Sequence, residues 1–369
     1  MSAETLGFFV AGLAILLAGA EFLVRGASRL ASAARISKLV IGLTVVAFGT
    51  SAPELAVSVQ SALAGEPDVA IGNVVGSNIF NVLFILGISA ILVPLAVKKQ
   101  LVRFDVPIMI LVSGALWAVA WDGQVDRREG LTLAGGALLY TLFALWMGRQ
   151  GQAPEGRAGP PKPEEDADPP GKPSYWPLSL LLMGLGLAML VLGSRWLVTG
   201  AVELARALGV SELAIGLTLV SAGTSLPEVA TSIVAAVKGE RDIAVGNVVG
   251  SNIFNILCVL GVASAVAPDG IAVSPTALHF DIPVALAVAV ACLPIFFTGY
   301  RISRWEGLLF FAYYGAYIAY LYFAAAEREK LPRFNDAMLY AVLPLTGFVL
   351  LVSLVRALSG KGKDAASAG

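Results

Sequence analysis

The sequence is poor in the side chains that soluble catalysis and soft-metal binding use. It holds one histidine and two cysteines in 369 residues, and only 14% of it is charged. Cys258 and Cys292 both lie inside apolar runs. They read as small packing residues, and neither a disulfide nor a thiolate metal site is expected. His279 falls near the end of an apolar run and reads as an interfacial residue rather than a ligand. A net charge of −1 offers no basic field to nucleic acid. No nucleophile–base pair, phosphate loop or cofactor motif is present, so neither an enzyme nor a bound cofactor is expected. The N-terminus lacks the basic region and cleavage site of a signal peptide. Glu4 precedes an apolar run that flows into Glu21 and Arg25, which predicts a first span that is retained.

Apolar length is what the chain has. It is 57% hydrophobic with a mean hydropathy of +0.80, values rare in soluble domains. Runs of the length that a bilayer requires recur along it. Expected spans cover roughly 4–27, 38–63, 69–95, 104–121 and 129–148, then 175–203, 212–237, 243–267, 279–298 and 304–325. One more follows at roughly 335–357. Between the two sets, residues 150–174 are rich in Pro, Gly, Glu and Asp and show no apolar period, which predicts a disordered linker. The expected division is 1–149, a first five-helix unit; 150–174, the linker; 175–327, a second unit; and 328–369, an extra helix and tail.

The two units repeat each other. Gly72-Asn73-Val74-Val75-Gly76-Ser77-Asn78-Ile79-Phe80-Asn81 returns verbatim at Gly246 to Asn255. Gly49-Thr50-Ser51-Ala52-Pro53-Glu54 returns as Gly223-Thr224-Ser225-Leu226-Pro227-Glu228. Between Ile41 and Gly87 roughly 30 of 47 aligned positions are identical at a constant offset. Weaker echoes follow: Phe104-Asp105-Val106-Pro107 against Phe280-Asp281-Ile282-Pro283, and Glu129-Gly130-Leu131 against Glu306-Gly307-Leu308. An odd number of spans per unit inverts the second unit in the membrane. Charge agrees. Arg25, Arg29, Arg35, Lys38, Lys98, Lys99 and Arg103 crowd the loops after spans 1 and 3, and Arg29 aligns with Glu203 and Lys38 with Glu212. The positive-inside rule predicts an outside N-terminus and a cytoplasmic linker. The fold class expected is therefore an all-α polytopic membrane protein: two inverted five-helix repeats, a ten-helix core, plus one C-terminal transmembrane helix. Such repeats characterise secondary transporters, with the substrate site at the midplane.

Glu54 and Glu228 fall near the middle of spans 2 and 7, where an ionised carboxylate is costly unless it meets a partner or a cation. The alternative is a structural ion pair, but no Lys or Arg lies centrally in any repeat span. Pro53 and Pro227 disturb the preceding turns and free backbone carbonyls, tolerable at that depth only where they line a cavity or bind an ion. Ala47, Thr50, Ser51, Glu54 and Ser58 share one helical face, and Ser221, Thr224, Ser225, Glu228 and Ser232 repeat it. On the next span Asn73, Ser77 and Asn81 recur every fourth residue, mirrored by Asn247, Ser251 and Asn255. Small and hydroxylic residues also serve plain helix packing, and part of the set, chiefly the glycines and outer serines, reads that way. The donor set is nonetheless all oxygen, which suits hard cations such as calcium and sodium.

These motifs, both present and in the same order, resemble the alpha repeats of the calcium/cation antiporter superfamily, and most closely its prokaryotic sodium/calcium exchangers. The resemblance implies that Glu54, Glu228 and the Thr50 and Thr224 carbonyls hold calcium. It implies flanking sodium sites from Ala47, Ser51, Ser77, Asn81, Ser221, Ser225, Ser251 and Asn255, and a coupling of about three sodium ions per calcium. Some prokaryotic members carry Asp where this chain has Asn255, so only two carboxylates are expected here. The implied function is inner-membrane export of Ca2+ in exchange for Na+ by alternating access, with membrane lipid as its surroundings and no obligate protein partner. A proton-coupled calcium antiporter is the runner-up, although that branch usually lacks the Pro-Glu seen twice here. A passive cation channel is the alternative from another class.

Overall fold

The computed structural model describes residues 3–150, 176–210, 215, 216, 219 and 222–366. The expected linker at 150–174 lies outside them apart from Gln150. Almost all of the described chain is helix, with mean hydropathy high enough in each long helix to span a bilayer. The helices are α1 (Ala3–Ala34), α2 (Lys38–Thr50), α3 (Ala52–Leu63), α4 (Pro67–Leu92), α5 (Leu101–Asp122) and α6 (Arg127–Gln150). The second series is α7 (Trp176–Ala207), α8 (Leu226–Val237), α9 (Arg241–Val266), α10 (Ala277–Phe297) and α11 (Arg304–Ala326). An extra α12 crosses over Leu331–Ser353, its helix running on to Ala366.

One expected span is two helices. The run over 38–63 breaks between α2 and α3 with a 43° bend. The cause is local. Pro53 sits at the start of α3, where its missing N–H is harmless, and Ser51 caps the break at φ −81°, ψ 6°. Ser225 repeats this at φ −86°, ψ 4°, before Pro227 and α8.

The centre of the molecule is α4 crossing α9, both largely buried. At the crossing Asn78 Nδ2 donates to the Asn252 carbonyl (3.1 Å), and Asn252 Nδ2 donates to the Asn78 carbonyl (3.2 Å). This reciprocal pair marks the pseudo-twofold axis between the repeats.

Along one side α1 and α7 run antiparallel in close contact. Gly12 faces Gly193 and Gly19 faces Gly186, while Gly26 lies against Met183 and Gly200 against Phe9; the glycines of each helix are spaced seven residues apart. A Cβ on Gly193 would lie 2.5 Å from Leu16 N, and one on Gly186 2.6 Å from Leu23 N. Only glycine allows two backbones this near. These glycines share the offset of the central motifs, so the repeat extends to the first span of each unit.

Among the described residues four short strands cross between the repeats: β1 (Leu95–Ala96), β2 (Gln124–Val125), β3 (Ile271–Ala272) and β4 (Arg301–Ile302). β1 pairs with β4, and β2 with β3, both antiparallel. β1 follows α4, β4 lies between α10 and α11, and a shared strand pair requires both loops to lie on one face. The second pair does the same on the other face, as the inverted topology demands. Lys38–Glu240 (3.0 Å), Lys98–Asp242 (2.6 Å) and Lys238–Glu21 join segments on the face of β1 and β4.

The outer surface carries exposed Leu138, Leu139, Leu142, Leu180 and Leu181, as lipid contact requires. α12 lies at the periphery against α10 and α11, where Tyr313 OH donates to Thr346 Oγ1 (2.7 Å).

Candidate functional site

The breaks before Pro53 and Pro227 bring two carboxylates into the core. Glu54 stands in the first turn of α3 and Glu228 in the first turn of α8, where the helix N-terminus favours negative charge. Both are wholly buried. Each is served by the opposite repeat: Ser225 Oγ donates to Glu54 Oε1 (2.8 Å) and Ser51 Oγ donates to Glu228 Oε1 (3.0 Å). Ser77 Oγ lies 3.0 Å from Ser225 Oγ, and Ser251 Oγ lies 3.5 Å from Glu228 Oε1. Neither repeat alone would complete a cluster.

A second tier holds the breaks in place. Thr50 Oγ1 donates to Asn247 Oδ1 (3.1 Å), and Asn247 Nδ2 donates to Ser232 Oγ (3.0 Å). The mirror set is Thr224 Oγ1 to Asn73 Oδ1 (3.2 Å) and Asn73 Nδ2 to Ser58 Oγ (2.9 Å). Asn73 Nδ2 also donates to the Glu54 carbonyl (3.1 Å). The threonine and asparagine side chains thereby occupy one another. The Ala47 carbonyl accepts the Ser51 N–H (3.0 Å) and lies 3.3 Å from Thr50 Oγ1.

Several buried polar atoms have no hydrogen-bond partner among the described residues. They include Glu54 Oε2, Glu228 Oε2, both side-chain polar atoms of Asn81, and Asn255 Oδ1. Asn255 Nδ2 donates to Asn78 Oδ1 (3.1 Å). Unpaired buried oxygens are costly, and a carboxylate oxygen most of all. No ion pair reaches Glu54 or Glu228 among the described residues. Unpaired oxygens without a basic side chain are what a bound hard cation would satisfy. Asn81 and Asn255 each open a wide π-helical turn, Asn81–Leu86 and Asn255–Leu260, a distortion frequent at functional sites.

The two approaches to these clusters differ. On one side α2 packs onto α9, and a Cβ on Gly246 would lie 2.8 Å from the Leu39 carbonyl. On the other, no described atom lies within 4 Å of a Cβ built on Gly72 or Gly76. A cavity of about 270 Å³ opens there and reaches Asn73 and Ser77. Thr50 and Asn247 are accordingly wholly buried, while Thr224 and Asn73 are half-buried.

The sequence model described as "Sodium/calcium exchanger protein" matches residues 4–146 and 178–323. The chain belongs to the sodium/calcium exchanger family. It is a multi-pass membrane antiporter of the calcium/cation class. The putative antiporter CaxA of Alkalimonas amylolytica is 38% identical, covering 85% of this chain and 97% of the relative. The inner membrane protein YrbG of Escherichia coli is also 38% identical, over 76% of this chain and 85% of the relative. The sodium/calcium exchanger MaX1 of Methanosarcina acetivorans is 31% identical, with 85% and 97% covered. Among solved structures, the sodium-calcium exchanger NCX_Mj soaked with zero Na+ and Ca2+ superposes with a TM-score of 0.73 at 31% identity, over 86% of this chain and 99% of that one. The same exchanger soaked with Na+ and Sr2+ gives 0.72 at 32%, with the same coverage.

Of the residues expected from the motifs, Glu54, Ser225 and Ser77 form one cluster, and Glu228, Ser51 and Ser251 form the other. Asn81 and Asn255 are buried with polar atoms unpaired. Thr50, Thr224 and Ala47 flank the breaks. Ser221 lies outside the described residues. The motif reading passed over Asn78 and Asn252, although both stand in the verbatim repeat, because every-fourth-residue spacing drew attention to one face of the helix. It also gave no role to Asp105 and Asp281.

Proposed function

We propose that this protein exports Ca2+ in exchange for Na+, binding the two ions alternately at the paired clusters. The observation that carries this reading is the pair of wholly buried glutamates, each with one oxygen hydrogen-bonded across the repeat interface and the other unpaired. In this reading Glu54 and Glu228, with Thr50 and Thr224 carbonyls, take calcium. Ala47, Ser51, Ser77, Asn81, Ser221, Ser225, Ser251 and Asn255 take sodium. Calcium gains two carboxylates in place of water, and sodium gains neutral oxygens at the flanks.

The division into two five-helix units, a linker and a peripheral helix belongs to the same proposal, as does an orientation with the N-terminus outside. Basic residues on the face of Lys38, Lys98 and Lys238 support a cytoplasmic assignment for that face. The cavity beside Asn73 then opens outward. The inner membrane is the proposed location, in keeping with the name of the YrbG relative.

The test is calcium flux in proteoliposomes with sodium and proton gradients imposed separately. Uphill calcium movement driven by sodium alone is expected. Movement driven only by protons would replace sodium with protons as the coupling ion. Calcium that merely equilibrates under both conditions would make the protein a channel.

A further inference from the structure

The Phe-Asp-hydrophobe-Pro motif of α5 and α10 plays no part in the paired clusters, yet both copies place a carboxylate inside the membrane-spanning fold. Asp105 and Asp281 each end a π-helical turn, Leu101–Asp105 and Ala277–Asp281, just ahead of Pro107 and Pro283. Each accepts a hydrogen bond from a tyrosine at the matching place in the next helix. Tyr140 OH donates to Asp105 Oδ1 (3.3 Å), and Tyr317 OH donates to Asp281 Oδ1 (2.9 Å).

The copies differ in their second oxygen. Asp105 is wholly buried, and Gln100 Nε2 donates to its Oδ2 (3.2 Å). Asp281 is half-buried, and no described residue donates to its Oδ2 or forms an ion pair with it. Asp281 also lines the cavity of about 270 Å³ that reaches Asn73 and Ser77. Among the described residues around that cavity it is the one charged side chain; Phe80, Tyr314 and Ile318 supply much of the remaining wall. A carboxylate in an apolar-walled passage focuses the field on whatever cation enters.

We propose that Asp281 is a capture site for the incoming cation, an alkali or alkaline-earth ion still carrying part of its water. It holds the ion in the passage before the ion reaches Ser77 and Glu54. Asp105 is the same device on the sealed side, with its free oxygen covered by Gln100 until that side opens. The tyrosines tether the carboxylates and leave one oxygen facing the passage. One carboxylate with a single available oxygen is too few ligands to strip a divalent ion, so capture is brief and the ion moves on. This inference rests on the antiporter reading.

The experiment measures calcium exchange in proteoliposomes of selected orientation, with the half-saturating calcium concentration determined from each face. Asp281→Asn is expected to raise that concentration about 3- to 10-fold on the cavity face. It should leave the opposite face and the saturating rate near wild type. Asp105→Asn should do the reverse. Asp281→Glu should restore most of the loss, and the near-wild-type saturating rate of Asp281→Asn shows that the asparagine protein is folded. Tyr317→Phe keeps the carboxylate and should retain the wild-type value.

An equal change on both faces, or no change with Asp281→Asn, overturns the proposal. So does a Tyr317→Phe protein that reproduces the asparagine defect, since the pair would then only tie α10 to α11. A wild-type protein that moves no calcium under either gradient overturns the antiporter reading and this inference together. A wild-type exchanger indifferent to Asp281 overturns this inference alone.

Discussion

Glu54 and Glu228 are the residues on which the proposed chemistry turns, and their surroundings make two measurements informative. Replacing either with Gln removes one of two formal charges facing the cation while keeping the size and one acceptor oxygen. Glu54→Gln and Glu228→Gln are each expected to reduce calcium exchange to background. Each variant should melt no lower than wild type without calcium, because a buried charge lacking a basic partner has been removed. Calcium at about 100 times its dissociation constant should stabilise the wild-type protein by about 2.7 kcal/mol, and the variants should lose that gain. Thermal melts with and without calcium check both points; transport by either variant at the wild-type rate would remove the glutamates from the site. Much of this was legible in the sequence. An acid after proline in an apolar span, repeated at a fixed offset, has few physical explanations. What could not be read was which serine serves which glutamate. Ser51 lies three residues from Glu54 but donates to Glu228, because the break at Ser51 turns its side chain toward the other repeat. Nor could the Asn78–Asn252 pair be read, since it exists only where α4 crosses α9.

The helices carry the asymmetry between the open and sealed sides. α2 is held onto α9 by packing around Gly42, Gly246 and Gly250 and by the ion pair Lys38–Glu240 (3.0 Å), to which Ser28 Oγ adds a hydrogen bond (3.0 Å). At the matching positions of the other repeat the chain has Glu212 and Glu66, like charges that can form no such pair. The Lys38–Glu240 pair thus favours the sealed state at its own face. The pair is partly exposed and worth about 0.2–1 kcal/mol. Lys38→Gln should therefore shift the population toward opening on the Lys38 face by a few-fold, not completely. Ile243→Cys, buried against Gly42 in that contact, reports it: labelling from the Lys38 face should be slow with Lys38 present and several-fold faster in Lys38→Gln. Equal labelling rates would mean that packing alone holds the seal. The span pattern announced these helices, and Pro53 and Pro227 announced the disturbed turns, but nothing announced the π-helical turns or the meeting of α1 with α7. The glycines at seven-residue spacing held that last signal, and it was hidden because glycine is common in membrane helices for many reasons.

At the scale of the whole molecule, two neutral asparagines and two glutamates fix the charge that crosses the membrane. With α12 at the periphery and every proposed ligand in the repeats, removal of residues 335–369 should leave exchange intact; a folded truncation that binds calcium without exchanging it would give α12 a part in transport. The charge that moves is then set by the core alone. The empty site carries a formal charge of about −2 from its glutamates. One calcium cancels it. Three sodium ions, the coupling that the family resemblance implies, would leave about +1, and that state should feel the membrane potential at roughly 2.3 kcal/mol per charge per 100 mV. Exchange should then be electrogenic, with an inside-negative potential favouring sodium entry and calcium exit. Two sodium ions would balance two carboxylates and make exchange electroneutral. The unpaired buried oxygens favour the larger number, since Asn81 and Asn255 offer acceptors beyond those of the glutamates. Asn255→Asp adds a third acid beside Asn78, so it should alter sodium or proton dependence more than calcium affinity. Calcium flux into liposomes clamped with potassium and valinomycin decides between the stoichiometries: a flux that rises with the imposed potential supports three sodium ions, and a flux indifferent to it supports two.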